Sequence, residues 1–277
     1  MKKILSLFLA LTMVICLCAC GGTGDDDNNG VRTVKAGVLT VATSPDFAPY
    51  EFYAIDENGN HQLAGFDPAL AAYIADYLGL ELEIIAMDFD GVLLEVSSGS
   101  VDLGMAGLSP DPNREDAMSF SDLYYMGGQS FVTVKGNEDK FPTLASANDP
   151  AFSIGAQTAS IQYDLALDNT PDADIVMLTK VTDIIAELVT GKLDGAFIET
   201  AVAECYAVSY PDLVVLHEVD YDTEGSAIGI TKGNAELLAA VNEAIAAAIS
   251  DGSMDIFIAE AYELASGKVY EGLIEAE

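Results

Sequence analysis

Apolar positions along this chain follow two alternating rhythms. From residue 31 onward, short β-rich runs give way to stretches in which apolar residues recur three or four apart. Leu39–Thr43 reads as a strand. Leu70, Ile74 and Leu78 follow at helical spacing. Asp67-Pro68 predicts the start of that helix, with Asp as N-cap and Pro at the first helical position. Gly79 predicts its end. Leu82, Ile84 and Ala86 alternate with more polar positions, as a half-buried strand does. Phe89–Ser98 predicts a helix and Val101–Leu108 a strand. The second half repeats the pattern: strand at Phe152–Ala156, helix at Ile161–Leu167, strand at Ile175–Leu178, helix at Thr182–Thr190 with Gly191 as its cap. Leu193–Glu199 and Leu213–Leu216 read as strands, and Glu236–Ile249 and Met254–Leu264 as closing helices. Alternation of this kind predicts an α/β chain of βαβ units around mostly parallel sheets.

The first thirty residues break this rhythm. Lys2 and Lys3 precede an apolar run, Ile4–Cys16. That run is too short to span a bilayer, which takes about 20 apolar residues, and it fits a secretory signal peptide over residues 1–19. The sequence LCAC at 17–20 resembles the lipobox of bacterial lipoproteins, in which the cysteine after the cut is lipidated. That resemblance makes Cys20 the first mature residue, carrying acyl chains such as palmitate. Cys18 stands where the lipobox usually has a small residue. The alternative is a plain secretory signal or an uncleaved apolar helix. Residues 20–30 then form the lipidated Cys and a flexible tether, because GGTGDDDNNG cannot bury enough surface to order itself. Its spaced acids imitate the start of a calcium loop. The twelfth position, which needs a bidentate Glu, is Ala36, so no metal site is expected there.

Charge narrows the partners. Asp and Glu number 45 against 11 Lys and Arg, for a formal net charge of −34. Such a surface repels phosphate backbones, and nucleic acid is not an expected partner. Beyond the signal and Cys20, Cys205 is the remaining cysteine of the four. It has no partner for an intrachain disulfide, and its place in an apolar helical run predicts a small buried hydrophobe.

One echo suggests the domain plan. FVTVKGN at 131–137 and IGITKGN at 228–234 are similar β segments bracketing a block with strands and helices of its own. The simplest topology has the chain leave one lobe at the first segment and return at the second. Residues 31–133 and 225–277 then make lobe 1, and residues 134–224 make lobe 2. The alternative is coincidence between two ordinary strand ends.

Arg32 and Arg114 are the arginines. Arg32 lies beside the tether, where solvent is its expected surrounding. Arg114 closes GLSPDPNR, a loop just past a predicted parallel strand. Open α/β sheets bind ligands outside the carboxyl ends of their strands, and a guanidinium there can hold a carboxylate by two parallel hydrogen bonds. The alternative is a local ion pair with Asp111, Glu115 or Asp116.

Seven motifs in order carry a resemblance over Leu39 to Leu264. They are SPDFAPYEF at 44–52, GFDPALAAYIA at 65–75, DFDGVLLEVSSGSVDLGMAGLSPDPNR at 88–114, FSDLYY at 120–125, IGAQTAS at 154–160, GKLDGAFIE at 191–199 and ITKGNAELLAAVNEAI at 230–245. With these the chain resembles an extracellular solute-binding protein of the polar amino acid uptake family, the receptor component of ABC importers. The resemblance implies a two-lobed periplasmic-binding-protein-like fold joined by two hinge strands. It also implies a protein anchored outside the membrane by lipid, acting as a monomer and handing a polar amino acid to permease subunits, with no cofactor, no metal and no catalytic residue.

The resemblance also assigns a site. Arg114 falls where the family clamps the ligand carboxylate. Ser109 and the backbone of Gly107 fall where it hydrogen-bonds the ligand's main-chain groups. Ser160 and Ile161 match a helix N-terminus whose amides face the same carboxylate. Glu199 matches the acid that holds the ligand ammonium, usually an Asp, and Phe47 the aromatic that packs on the ligand. Ser44 stands where relatives taking basic amino acids often carry an acid, which argues against lysine or arginine as ligand. Tyr50, Glu51, Phe89 and Gln162 would complete the pocket. Other readings remain: Phe47 as core, Glu199 as a solvated strand end, Ser109 and Ser160 as turn or cap residues.

Two other function classes stand beside this one. An enzyme of dehydratase type on the same fold could work through Glu199 or Glu51, although CxxC and HExxH patterns do not occur. His61 and His217, the two histidines, read as surface residues. A ligand-sensing module normally needs a second membrane span, and the sequence shows no further apolar run of that length.

Overall fold

A computed structural model describes residues 31–56, 58–221 and 225–267. The signal peptide, the tether and Cys20 lie outside the described residues. The strands are β1 (Val38–Thr43), β2 (Asp46–Phe47), β3 (Glu51–Ile55), β4 (His61–Ala64), β5 (Glu81–Ala86), β6 (Leu103–Gly104), β7 (Met118–Phe120), β8 (Gln129–Val134), β9 (Ser153–Gln157), β10 (Asp174–Leu178), β11 (Gly195–Glu199), β12 (Leu213–Val219) and β13 (Gly229–Thr231). The α-helices are α1 (Phe66–Leu78), α2 (Phe89–Ser98), α3 (Ile161–Asn169), α4 (Val181–Val189), α5 (Thr200–Ser209), α6 (Ala235–Ser250) and α7 (Ser253–Ala265).

Two five-stranded sheets organise two lobes. The first runs β5-β1-β6-β13-β7 and the second β10-β9-β11-β8-β12. Each has three parallel neighbours at one side and two antiparallel additions at the other. A small sheet, β2-β3-β4, stands beside the first lobe and has no counterpart in the sequence reading. Its hairpin strands β3 and β4 are short and only partly alternating, so periodicity does not single them out.

Local chemistry sets the boundaries. Gly79 and Gly99 end α1 and α2 in the left-handed conformation, at φ 69° and 73°, each returning its N–H to the last turn. The start of α1 differs from expectation. Gly65 is its N-cap, and Asp67 lies inside the first turn with its side chain fully buried. That carboxylate accepts the Gly107 N–H at 3.1 Å instead of capping its own helix. The strand expected over 101–108 contracts to Leu103–Gly104, because the chain turns away toward the loop holding Gly107 at φ 56°.

The paired KGN segments also take a different meaning. Phe131–Val134 lies wholly in the second sheet as part of β8, so a lobe boundary at 133/134 would cut a strand. The chain crosses earlier, where Tyr125 and Ser226 form an antiparallel bridge and Ser226 N–H donates to Tyr125 O at 2.8 Å. The echo is nevertheless structural. β8 and β13 are each the first strand after a crossing, and each ends in a glycine turn, Gly136 at φ 90° and Gly233 at φ 88°. The repeat marks where the chain settles into a sheet after the crossing.

The apolar core continues from one lobe to the other. Leu39, Leu70, Ile74 and Leu103 of the first lobe belong to the same buried cluster as Val132, Ile184, Leu188 and Ile198 of the second. A separate cluster on the second sheet is aromatic, with Phe131 at 5.1 Å from Phe141 and 5.4 Å from Phe197, both edge to face. Such pairs contribute about 0.5–1.5 kcal/mol each beyond burial. α6 and α7 pack on α1, which returns the C-terminal segment to the first lobe.

Candidate functional site

Side chains at the facing edges of the lobes form two groups, Arg114 with Phe89 and Glu199 with Tyr50 and Phe47. Arg114 follows β6 and β7 takes the chain onward, so its guanidinium lies outside the carboxyl end of a parallel strand. Its side chain is 11% exposed. One guanidinium nitrogen donates to Ala159 O, on the other lobe, at 2.9 Å. The Asp111 carboxylate lies 3.8 Å from Nε, and the Phe89 ring centroid lies 5.7 Å below. Burial opposes the charge, while Asp111 and Asp164 support it. The local pairing foreseen with Asp111 is therefore real, and it leaves the guanidinium edge pointed across the cleft.

Glu199 ends β11 and is 3% exposed. Oε2 accepts the Val202 N–H at 2.8 Å, which caps α5, and Oε1 accepts the Gly128 N–H at 3.3 Å and the Tyr50 hydroxyl at 3.2 Å. It is a buried acid and not a solvated strand end. Burial pushes its carboxyl up to about 7, against the pull of these hydrogen bonds. Tyr50 comes from the first lobe, so this end of the cleft is also bridged. Ser226 donates to the same Tyr50 oxygen at 3.4 Å. Gly127 must be small here, because a Cβ on it would lie 2.7 Å from Glu199 Oε1 and 2.8 Å from the Tyr50 hydroxyl.

Between these ends, Phe47 packs 5.3 Å from Tyr50 and covers Gly107. A Cβ on Gly107 would lie 2.7 Å from the Phe47 ring, and its φ of 56° is itself a glycine conformation. Ser109 and Ile161 face each other across a recess of about 240 Å³ that Asp111, Asn113, Asp164 and Tyr221 also line. Ser160 caps α3: its Oγ accepts the Tyr163 N–H at 3.3 Å and donates to Gln157 O at 2.8 Å. Its side chain is thus engaged with its own backbone, as the cap alternative had it. Gln162 donates to Gln129 at 2.8 Å, and both are buried.

Ser44 donates to Asp46 at 3.1 Å, and Asp46 was not anticipated. Its Oδ2 accepts the Val181 N–H at 2.5 Å, at the start of α4 on the other lobe, while its carbonyl accepts the Tyr206 hydroxyl at 2.9 Å. Lys180 of the second lobe lies 3.7 Å from Asp88 of the first. The sequence signal for Asp46 is slight, an acid beside Phe47 in SPDF, and its partner is remote in the chain.

Away from the cleft, Cys205 is buried, and burial pushes its thiol up to about 12, as an inert core residue requires. His61 is exposed. His217 is half-buried, with Nε2 at 2.8 Å from Phe141 O and its ring beside Phe131.

Known proteins resemble this chain over most of its length. Residues 39–262 match the model of the bacterial extracellular solute-binding proteins, family 3. The arginine-binding extracellular protein ArtP of Bacillus subtilis (strain 168) is 30% identical over 260 residues, covering 92% of this chain and 96% of ArtP. The amino acid ABC transporter substrate-binding protein AbpA of Streptococcus pneumoniae Canada MDR_19A, solved bound to L-arginine, superimposes with a TM-score of 0.79 at 32% identity, over 84% of this chain and 97% of AbpA. A cyclohexadienyl dehydratase of Pseudomonas aeruginosa is more distant, 26% identical over 186 residues, with 67% of this chain and 68% of the enzyme covered. On this family match, over nearly all the described residues, the chain belongs to the bacterial extracellular solute-binding proteins, family 3.

Proposed function

We propose that this protein captures a polar amino acid between its lobes and delivers it to the permease of an ABC importer. The observation that carries the reading is the pair of opposite charges on facing lobes. Arg114 offers a carboxylate clamp on the first lobe and Glu199 an ammonium acceptor on the second. Burying either charge of a zwitterion without a partner costs several kcal/mol. A ligand touching both lobes therefore has more affinity for the closed arrangement than for an open one, and that difference is what closes a hinge. In this reading the ligand carboxylate replaces Ala159 O as the partner of Arg114 and meets the α3 N-terminus at Ser160 and Ile161. The ligand ammonium meets Glu199 and the Gly107–Ser109 backbone, and Phe47 and Phe89 flank the side chain. The Tyr125–Ser226 crossing serves as the hinge.

Two features bear on the ligand's side chain. Ser44 is neutral, which favours a neutral polar amino acid. Asp46 and Asp88 lie close by, which favours a cationic one such as L-arginine. Thermal-shift screening of the purified protein against the twenty amino acids separates them, since a ligand at 100 times its Kd stabilises by about 2.7 kcal/mol. Failure of all twenty to shift the melting midpoint overturns the reading. Lipid on Cys20 holds the protein at the outer face of the membrane, with at least two acyl chains needed for stable anchoring, and Cys20→Ser releases it. The protein acts as a monomer.

A second reading, a dehydratase on the same fold, draws on Glu199, whose carboxyl near neutrality suits a general acid. It predicts turnover of a cyclohexadienyl acid and its loss in Glu199→Gln.

A further inference from the structure

Behind the cleft wall lies a second group of acids that the proposed clamp does not use. Glu51 on β3 and Asp67 in the first turn of α1 are both fully buried. Among the described residues neither Glu51 oxygen nor Asp67 Oδ1 has an N–H or hydroxyl donor in hydrogen-bonding geometry. Asp67 Oδ2 is the exception, held by the Gly107 N–H at 3.1 Å. The groups facing Glu51 are acids or phenols: Asp67 from α1, Asp46 from β2, Tyr124 from the crossing and Tyr206 from α5. Tyr50 and Tyr124 face Asp67. Lys180, the cation that reaches this neighbourhood, acts on Asp46.

We propose that Glu51 and Asp67 are positioning residues, a carboxyl pair sharing one proton that fixes the Gly107 loop of the cleft through the Asp67–Gly107 hydrogen bond. The inference rests on the proposed function for what the Gly107 loop touches. The pair itself is tested without ligand.

Two adjacent buried carboxyls with no cation cannot both ionise. Asp67 takes the negative charge, because it has an amide donor and Glu51 has none. Glu51 keeps the proton and donates its O–H to Asp67 Oδ1, an oxygen that the buried Tyr124 hydroxyl also faces without a hydrogen bond of good geometry. Asp67 then accepts on both sides, from Glu51 and from Gly107, and the loop amide is held by a charged acceptor. A charge-assisted bond of this kind is roughly twice as strong as a neutral one. Burial pushes Glu51 well above the carboxylate range and Asp67 to about 6, in the same order. Because Glu51 binds its proton more tightly folded than unfolded, its contribution to stability is complete below about pH 4.3, the unfolded value, and is lost progressively as pH rises.

The experiment compares the unliganded wild type with Glu51→Gln and Asp67→Asn, by infrared spectroscopy, amide NMR and melting between pH 5 and 9. Glutamine keeps a neutral donor in the place of the protonated acid. The wild type should show a protonated carboxyl band at pH 7 that Glu51→Gln lacks. The Gly107 amide proton should move downfield as pH rises through about 6, a movement kept in Glu51→Gln and absent in Asp67→Asn. The wild-type melting midpoint should fall relative to that of Glu51→Gln by about 3 °C per pH unit. A wild-type carboxyl band unchanged by Glu51→Gln, or a Gly107 amide indifferent to pH, overturns the pair. Both readouts stand on the wild type and Glu51→Gln if Asp67→Asn does not fold. A pair confirmed in a protein that binds no amino acid would leave the carboxyl geometry standing and remove the proposed function.

Discussion

The helices of the second lobe begin in two different ways. α3 and α5 carry their own caps, since Ser160 accepts the Tyr163 N–H and Glu199 accepts the Val202 N–H. α4 does not. Lys180 at its N-cap position makes no side-chain cap, and the Val181 N–H is taken instead by Asp46 of the first lobe. A self-capped helix is satisfied whether or not the lobes meet. α4 is satisfied by protein only when they do. The difference separates residues that hold a lobe together from residues that hold the lobes to each other, and Arg114, Tyr50 and Asp46 belong to the second kind.

The largest effect expected from breaking this comparison is at Arg114. Arg114→Ala should weaken amino acid binding by about 2–5 kcal/mol, the range for removing one partner of a buried charged pair, with folding intact. Isothermal titration measures it, and unchanged affinity removes the carboxylate clamp.

Next comes pH. Glu199 has its carboxyl near 7 in the unliganded protein, and a bound ammonium lowers it. Affinity should therefore be full above about pH 7 and fall by up to tenfold per pH unit below it. Stability of the unliganded protein runs the other way. The folded value lies above the unfolded one, so the Glu199 contribution is complete below about pH 4.3 and lost as pH rises through about 7. Titrations and melting curves over pH 5–8 test both slopes together.

For a neutral ligand, Asp46→Ala should act through closure alone. It removes the cross-lobe cap of α4, worth about 0.5–2 kcal/mol, and should lower affinity by up to about thirtyfold while leaving each lobe folded. Small-angle scattering of the unliganded protein should show a more open average. Ser160→Ala, at a self-supplied cap, should cost about 1 kcal/mol of stability without opening the lobes. If the two substitutions open the protein equally, the distinction between borrowed and native caps fails.

The sequence was most readable where one element explains itself. Phe89–Ser98 was bounded correctly because apolar spacing and Gly99 lie within one helix, and α6 came within a residue at each end for the same reason. Arg114 stood out because a loop after a parallel strand is where a charge faces a cleft, whereas Glu199 was marked by the family resemblance alone. What escaped reading depends on remote partners. Asp67 looked like a cap, since Asp-Pro opens helices, yet its acceptor role is set by Gly107, 40 residues on. Asp46 gave only a slight signal, because its partner Val181 lies 135 residues away. The KGN echo was legible as a repeat. Its meaning was not, because only strand pairing shows that β8 belongs to the second sheet.

The central claim is that Glu199 meets the ammonium of an amino acid whose carboxylate Arg114 holds. The most direct measurement is a calorimetric double-mutant cycle between Glu199→Gln and loss of the ligand ammonium. It uses the amino acid selected by screening and its deaminated analogue, which keeps the carboxylate. Each change removes the same contact, so the account predicts strong non-additivity: the analogue binds the wild type weakly and loses little further in Glu199→Gln. Equal losses for amino acid and analogue would contradict it, because Glu199 would then act through the fold and not through the ligand.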